Sequence, residues 1–228
     1  MSSIVLSPGA TGAAAFTIEA PSTATSRVIT LPDATDTLVG KATTDTLTNK
    51  TLVAPALGTP ASGNLANCTG AITSGTAQAS TSGTSIDFTG LPSGVKRVTV
   101  MFNGVSTNGS STIRLQLGDA GGVEATGYSN LTAQISNTWG GAGTSSSGFD
   151  GYGDGGAAFL RSGHLVFATL GSNIWTLVGA YTLANGSGFS YFFTGAKTLS
   201  DTLTQVRITT VNGTDTFDAG SINILYES

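Results

Sequence analysis

Apolar and polar residues alternate along much of the C-terminal two-thirds of the chain. The pattern is strongest from Leu203 to Glu227: Val206, Ile208 and Thr210 alternate with Arg207 and Thr209, and Ile222, Ile224 and Tyr226 alternate again after Asp218-Ala219-Gly220. A period of two puts successive side chains on opposite faces of a strand. Asn212-Gly213, between the two runs, tolerates positive φ, so the stretch predicts a β-hairpin. Large apolar residues on one face of such a hairpin need earlier strands to cover them.

Those strands are present upstream. Ile86 and Phe88 open one that stops at Gly90-Leu91-Pro92-Ser93-Gly94. Val98, Val100 and Phe102 alternate with Arg97, Thr99 and Met101, which predicts one buried and one mostly wetted face. Asn103-Gly104 and Asn108-Gly109 fall in the turn region that follows, and Ile113, Leu115 and Leu117 then read as a partner strand for the run at 97–102. Leu131, Gln134 and Ile135 fit a further strand, whereas Trp139 to Gly156 is dominated by Gly and Ser and reads as a long loop. Loops of that length are usually functional or mobile. Leu165 to Leu170 is apolar on both faces, as a central strand is, and Trp175 to Tyr181 and Phe189 to Phe193 follow with Asn185-Gly186 between them. No window has helical periodicity. Seven or eight short strands at this spacing predict an all-β fold, an antiparallel β-sandwich of jelly-roll-like form.

Residues 1–75 have a different texture. Apolar residues come singly or in pairs between Pro8, Pro21, Pro32, Pro55 and Pro60, and Thr35-Asp36-Thr37-Leu38 echoes as Thr44-Asp45-Thr46-Leu47. Such a segment cannot bury enough apolar area to offset about 1–2 kcal/mol of backbone entropy per residue by itself. It carries more Leu and Val and less charge than a disordered chain usually does. Packing against other copies, with Leu38, Leu47, Leu52 and Leu57 as the apolar contacts, is therefore the expectation. The domains read as 1–75, an arm or shaft, and 76–228, a β-sandwich knob.

Composition sharpens this picture. Only 10% of the residues are charged, against about a quarter in ordinary domains, and Gly, Ser, Thr and Ala fill the surface instead. Solubility without charge is commonly achieved by covering surface in a larger assembly. A net charge of −4 with scattered Lys and Arg gives no electrostatic reason to approach nucleic acid or anionic lipid. Cys68 is the single cysteine, so no intrachain disulfide is possible. The N-terminus has no basic region ahead of an apolar one, and no segment has the length of a membrane span, so the expectation is synthesis in a cytoplasm without a signal peptide or membrane insertion.

Candidate chemistry is thin. His164, the single histidine, begins an apolar strand and reads as a strand-end residue rather than a general base. Asp150 and Asp154 lie in the Gly-rich loop and have the chemistry of paired carboxylates or oxygen ligands, but their spacing matches no calcium loop. Gly121-Gly122 and Gly140-Gly141 do not join a strand to a helix, as phosphate loops do. Catalytic residues, cofactors and metal ligands are accordingly expected to be absent. Trp139, Phe149 and Tyr152, set among small residues together with Asp150 and Asp154, form the candidate receptor-contact loop, since rigid rings supply contact area at low entropic cost.

Leu31-Pro32-Asp33-Ala34-Thr35-Asp36-Thr37-Leu38-Val39, Thr46-Leu47-Thr48-Asn49-Lys50-Thr51-Leu52 and Gly58-Thr59-Pro60-Ala61-Ser62-Gly63-Asn64-Leu65 resemble segments of tail-fibre and other structural proteins of tailed bacteriophages. Ile86 to Gly90, Val95 to Phe102 and Val206 to Tyr226 resemble a domain found at the ends of phage tail proteins. The resemblance implies a non-enzymatic virion structural protein: a homotrimer with an intertwined shaft, held to another virion protein through its N-terminal arm. Its knob would contact a glycan or protein of the host surface. A segment of only about 75 residues suits a capsid decoration (cement) protein or head fibre as well, anchored on the major capsid protein, and a polysaccharide-degrading tail spike is a third reading.

Overall fold

The computed structural model describes residues 72–136, 139–184 and 188–228; for Trp139 it describes the backbone only. Leu38, Leu47, Leu52, Leu57 and Cys68, with the shaft expected of them, lie outside the described residues.

The described residues form fourteen strands and no helix. They are β1 (Ile72–Ser74), β2 (Gln78–Ala79), β3 (Ser85–Thr89), β4 (Arg97–Thr107), β5 (Ile113–Asp119), β6 (Gly122–Val123) and β7 (Tyr128–Ile135). After them come β8 (Trp139–Ser145), β9 (Phe149–Asp150), β10 (Arg161–Gly171), β11 (Ile174–Leu183), β12 (Ser190–Thr198), β13 (Gln205–Thr210) and β14 (Phe217–Glu227). All the pairings are antiparallel. One sheet runs β1-β14-β4-β10-β11-β12-β7-β8 with β2 also on β14, and the other runs β3-β13-β5-β6 with β9 also on β5.

The strand order is that of a jelly roll with two excursions. β2, β14, β4 and β10 make one four-stranded layer and β3, β13, β5 and β9 the other, and the chain crosses between layers at β2–β3, β3–β4, β4–β5, β6–β7, β8–β9, β9–β10, β12–β13 and β13–β14. β6 to β8 interrupt the step from β5 to β9, and β11 and β12 interrupt the step from β10 to β13. β7, β8, β11 and β12 extend the first layer, where β12 pairs with β7 over residues 190–197 and 128–135, while β6 stays in the second layer on β5. The core lies between the layers. Val98, Val100 and Phe102 of β4, Leu165 and Phe167 of β10, and Ile222 and Ile224 of β14 meet Leu115 and Leu117 of β5 and Val206 and Ile208 of β13.

Four expectations are corrected. The stretch 203–227 is not a hairpin: β13 pairs with β3 and β5, while β14 pairs with β4, β1 and β2 in the opposite sheet. Alternation fixes which face of a strand is buried, and either arrangement satisfies it. The loop between them decides. Asn212 Oδ1 accepts hydrogen bonds from the backbone N–H of Thr214 at 3.0 Å and Asp215 at 3.1 Å, Gly213 takes φ of +67°, and the chain needs six residues to step from one layer to the other. For the same reason β5 is not the partner of β4; it packs against β4 from the other layer.

Gly104 is not in a turn either. It takes φ of +64° inside β4, where the register with β10 and with β14 shifts, so the expected turn glycine serves a bulge. Finally, 139–156 is not structureless: β8 pairs along β7, and β9 pairs with β5 through Arg114↔Asp150 and Leu115↔Phe149.

Candidate binding surface

The stretch 146–160 between β8 and β10 is held from beneath by charged and hydroxyl side chains. Arg114 on β5 makes a two-pronged pair with Asp150, Nε to Oδ1 at 2.6 Å and Nη2 to Oδ2 at 2.7 Å. The Asp150 carbonyl accepts from Thr132 Oγ1 at 2.7 Å and Asn130 Nδ2 at 3.1 Å, both on β7. Further along, Asp154 Oδ2 accepts from Arg161 Nε at 3.0 Å, Tyr181 OH at 2.6 Å and the Ile113 N–H at 3.4 Å. Both Asp154 and Arg161 are 0% exposed, so this is a fully buried ion pair. Arg161 also donates to the carbonyls of Asp154 and Phe159. Tyr191 OH donates to the Gly153 carbonyl at 3.1 Å and accepts from Gln134 Nε2 at 3.0 Å.

Two of the residues expected to touch a receptor are therefore core residues. Phe149 is 0% exposed, edge-on to Tyr128 at 5.0 Å between ring centroids and 5.5 Å from Phe167. Asp154 is buried as described. Neither reaches solvent, because strand β9 turns Phe149 between the layers and Asp154 neutralises the one arginine enclosed there. Asp150 is only 13% exposed and committed to Arg114. As a paired carboxylate set, Asp150 and Asp154 are each taken up by an arginine, which removes the arrangement a glycosidase needs. Tyr152 is the contact residue that remains at the surface, 36% exposed, with its ring against Gly141 and Gly143 of β8, where a side chain on either glycine would collide with it. The backbone of Trp139 opens β8 opposite Ile135; its side chain lies outside the described residues.

The buried cluster leaves an electrostatic signature. Burial, and after it the Asp154 carboxylate, pushes the Tyr181 hydroxyl well above the ordinary phenol range; burial likewise raises Tyr191 and Tyr128. A raised pKa in the folded state means that above the unfolded value of about 10 the unfolded chain sheds protons that the folded chain keeps. The stabilisation is thus complete below about pH 10 and declines as pH climbs through the folded values. Unfolding temperatures measured between about pH 8 and 11 are expected to hold level and then fall. At about pH 11 the folded protein should gain less phenolate absorbance than the unfolded chain. Equal absorbance in the two states would contradict the cluster.

Two exposed surfaces of the described residues bear on binding. One is a hydroxyl-lined cleft of about 590 Å³ beneath the β8–β9 turn, formed by Tyr128, Ser129, Asn130, Thr144, Ser145, Ser146 and Ser147. The other is the outward face of the larger sheet. Leu131, Thr194, Val178, Val166, Thr99 and Leu225 lie in register across β7, β12, β11, β10, β4 and β14. The next row is Ala133, Phe192, Ala180, His164, Met101 and Asn223. Val178 is 61% exposed, Leu131 48% and Phe192 46%, so the face expected to be wetted is largely apolar. His164 belongs to it, exposed in the middle of the sheet rather than at a strand end.

Sequence reasoning did not single out Arg161, Tyr181, Tyr191 or the Leu131–Val178–Phe192 patch. An arginine and an aspartate seven residues apart carry no signal of pairing, and outward-facing apolar residues on a strand look the same in sequence as inward-facing ones. Among the described residues no group of three or more His, Cys, Asp or Glu side chains is placed to hold a metal ion. Compared with family models, curated proteins and solved structures, the chain matches none.

Proposed function

We propose that this chain is a structural and interaction protein of a tailed-phage virion, a short homotrimeric tail fibre. In this reading the residues ahead of β1 attach and trimerise, β1 joining the sheet on β14, and the jelly roll is the knob that meets a glycan or protein of the host surface. The observation that carries the reading is the pairing, within one chain, of the Leu31 to Leu52 and Gly58 to Leu65 segments with a jelly roll whose sheets, among the described residues, start at Ile72. On the knob, Tyr152 on its glycine platform and the adjoining hydroxyl-lined cleft are the contact candidates. They have the composition of an adaptable polar surface with a rigid ring, as suits a glycan or a variable protein epitope.

A capsid decoration or head-fibre role is the second reading, because the segments at 31–52 and 58–65 resemble virion structural proteins as a group rather than those of one place on the virion. The tail-spike hydrolase falls behind both, because its candidate carboxylates are bound to Arg114 and Arg161. Antibody labelling of intact particles, viewed by electron microscopy, separates these readings. Label at the tail is the expected result; label spread over the head would replace the fibre with the decoration protein, and unlabelled particles would remove the virion assignment altogether.

A further inference from the structure

We infer that the outward face of the larger sheet is the surface on which copies of this β domain pack against one another. The inference deepens the proposed function: it rests on the homotrimer of that reading, but not on its virion assignment.

Three properties of the face favour a second copy as its occupant. The first is charge. The two rows that cross β7, β12, β11, β10, β4 and β14 hold no Asp, Glu, Lys or Arg; His164 is their one titratable group. The nearest charged residues on this face, Arg97 and Glu227, sit one row further along and pair with each other, Arg97 Nε donating at 3.0 Å. A patch without charge can meet a copy of itself with no like-charge repulsion, and interface centres are depleted of charge and enriched in aromatic residues and Met, as here.

The second is relief. Phe192 stands on β12 with Ala133 beside it on β7 and Ala180 beside it on β11, so a projecting ring is flanked by two shallow hollows. One copy therefore carries both the knob and the recess that a neighbouring copy needs. The third is area. With β8 counted at the edge, seven strands at a spacing of about 4.8 Å and the two rows about 6.7 Å apart give a face on the order of 450 Å². That is about half of the roughly 800 Å² that a standard interface takes from each partner, so these rows would form the centre of the contact. A largely apolar exposed patch of a few hundred Å² is of the kind that marks an interaction surface.

The test uses the full chain in a Cys68→Ser background, with one new cysteine at a time. Val178→Cys reports on the face, and Val211→Cys, in the β13–β14 loop at a position 39% exposed, reports on open surface. Alkylation rates are measured in the folded protein, each relative to the same chain unfolded in urea, and the mass in solution is measured by light scattering. The expected result is an oligomer in which the thiol at position 178 reacts at least about tenfold more slowly than the thiol at position 211. Adding Phe192→Lys should then bring the thiol on the face to the rate of the one in the loop. An oligomer in which the two thiols react equally fast without that change would overturn the inference and leave the homotrimer standing on the residues ahead of β1. A monomer with the face thiol protected would mean that another part of the same chain covers the face, and would also overturn it. A monomer with the face thiol open would remove both the inference and the homotrimer.

Discussion

Asp154→Ala is expected to destabilise the β domain by about 3–5 kcal/mol, because removing one partner of a fully buried ion pair leaves the other charge without compensation. Arg161 would keep the carbonyls of Asp154 and Phe159 but lose the carboxylate at its Nε, and the Tyr181 hydroxyl and the Ile113 N–H would lose their acceptor. At about 2–4 °C per kcal/mol for a domain of this size, the unfolding temperature should fall by about 6–20 °C. Combining Asp154→Ala with Arg161→Met should restore part of the loss, since an apolar replacement of a buried pair is often neutral. Denaturant titration of the three chains checks this. A loss under about 1 kcal/mol for Asp154→Ala would show that the pair does not hold the 146–160 stretch to the core.

Phe149→Ala should be as damaging for a different reason. The ring is enclosed by Tyr128 and Phe167, and Gly195 on β12 is the position that leaves room for it. Truncating such a side chain removes its transfer free energy and leaves a cavity, at about 3–5 kcal/mol. Tyr152, three residues along and at the surface, gives the contrast: Tyr152→Ala should cost no more than about 1 kcal/mol. The comparison of the two by thermal unfolding decides whether β9 belongs to the core, and equal losses would contradict its place there. Phe149 and Asp154 fasten the same stretch, so their double substitution should cost less than the two single losses added together.

The inward faces of β4, β5, β13 and β14 were legible from the sequence. Val98, Val100, Phe102, Ile113, Leu115, Leu117, Val206, Ile208, Ile222 and Ile224 alternate and are buried as their period requires. Which strand lies beside which was not legible, because antiparallel pairing in a jelly roll joins residues far apart in the chain and leaves no local mark. The Asn212-Gly213 turn shows the limit. The dipeptide that most favours a two-residue hairpin also makes a side-chain-capped turn, and here Asn212 caps a crossing between sheets. Gly and Ser hid β8 and β9, since glycine in a strand carries no propensity signal, while Gly141 and Gly143 are the positions that let Tyr152 lie flat on β8.

The candidate site was less legible than the fold. The sequence offered a loop with three aromatics and two acids; only Tyr152 is at the surface with its side chain described, Phe149 and Asp154 are internal, and Asp150 is occupied. Enrichment of a loop in rings and carboxylates does not distinguish residues that grip the core from residues that face a partner. Burial distinguishes them, and burial depends on the layer opposite.

β1 and β2, which open the described part of the chain, both lie on β14, which closes it, with Ile72 opposite Glu227. On a ribosome the first strands of this sheet are made before their neighbour exists. Until residue 227 has been synthesised, the β4 edge that β14 will cover stands open with its ladder unmade. Non-local pairing of this kind slows folding, since the loop between the partners must be closed before any contact rewards it. The time between synthesis and closure is when the chain is most exposed to wrong pairing with its neighbours on the same message. The low charge of the sequence gives it little repulsion to delay that encounter.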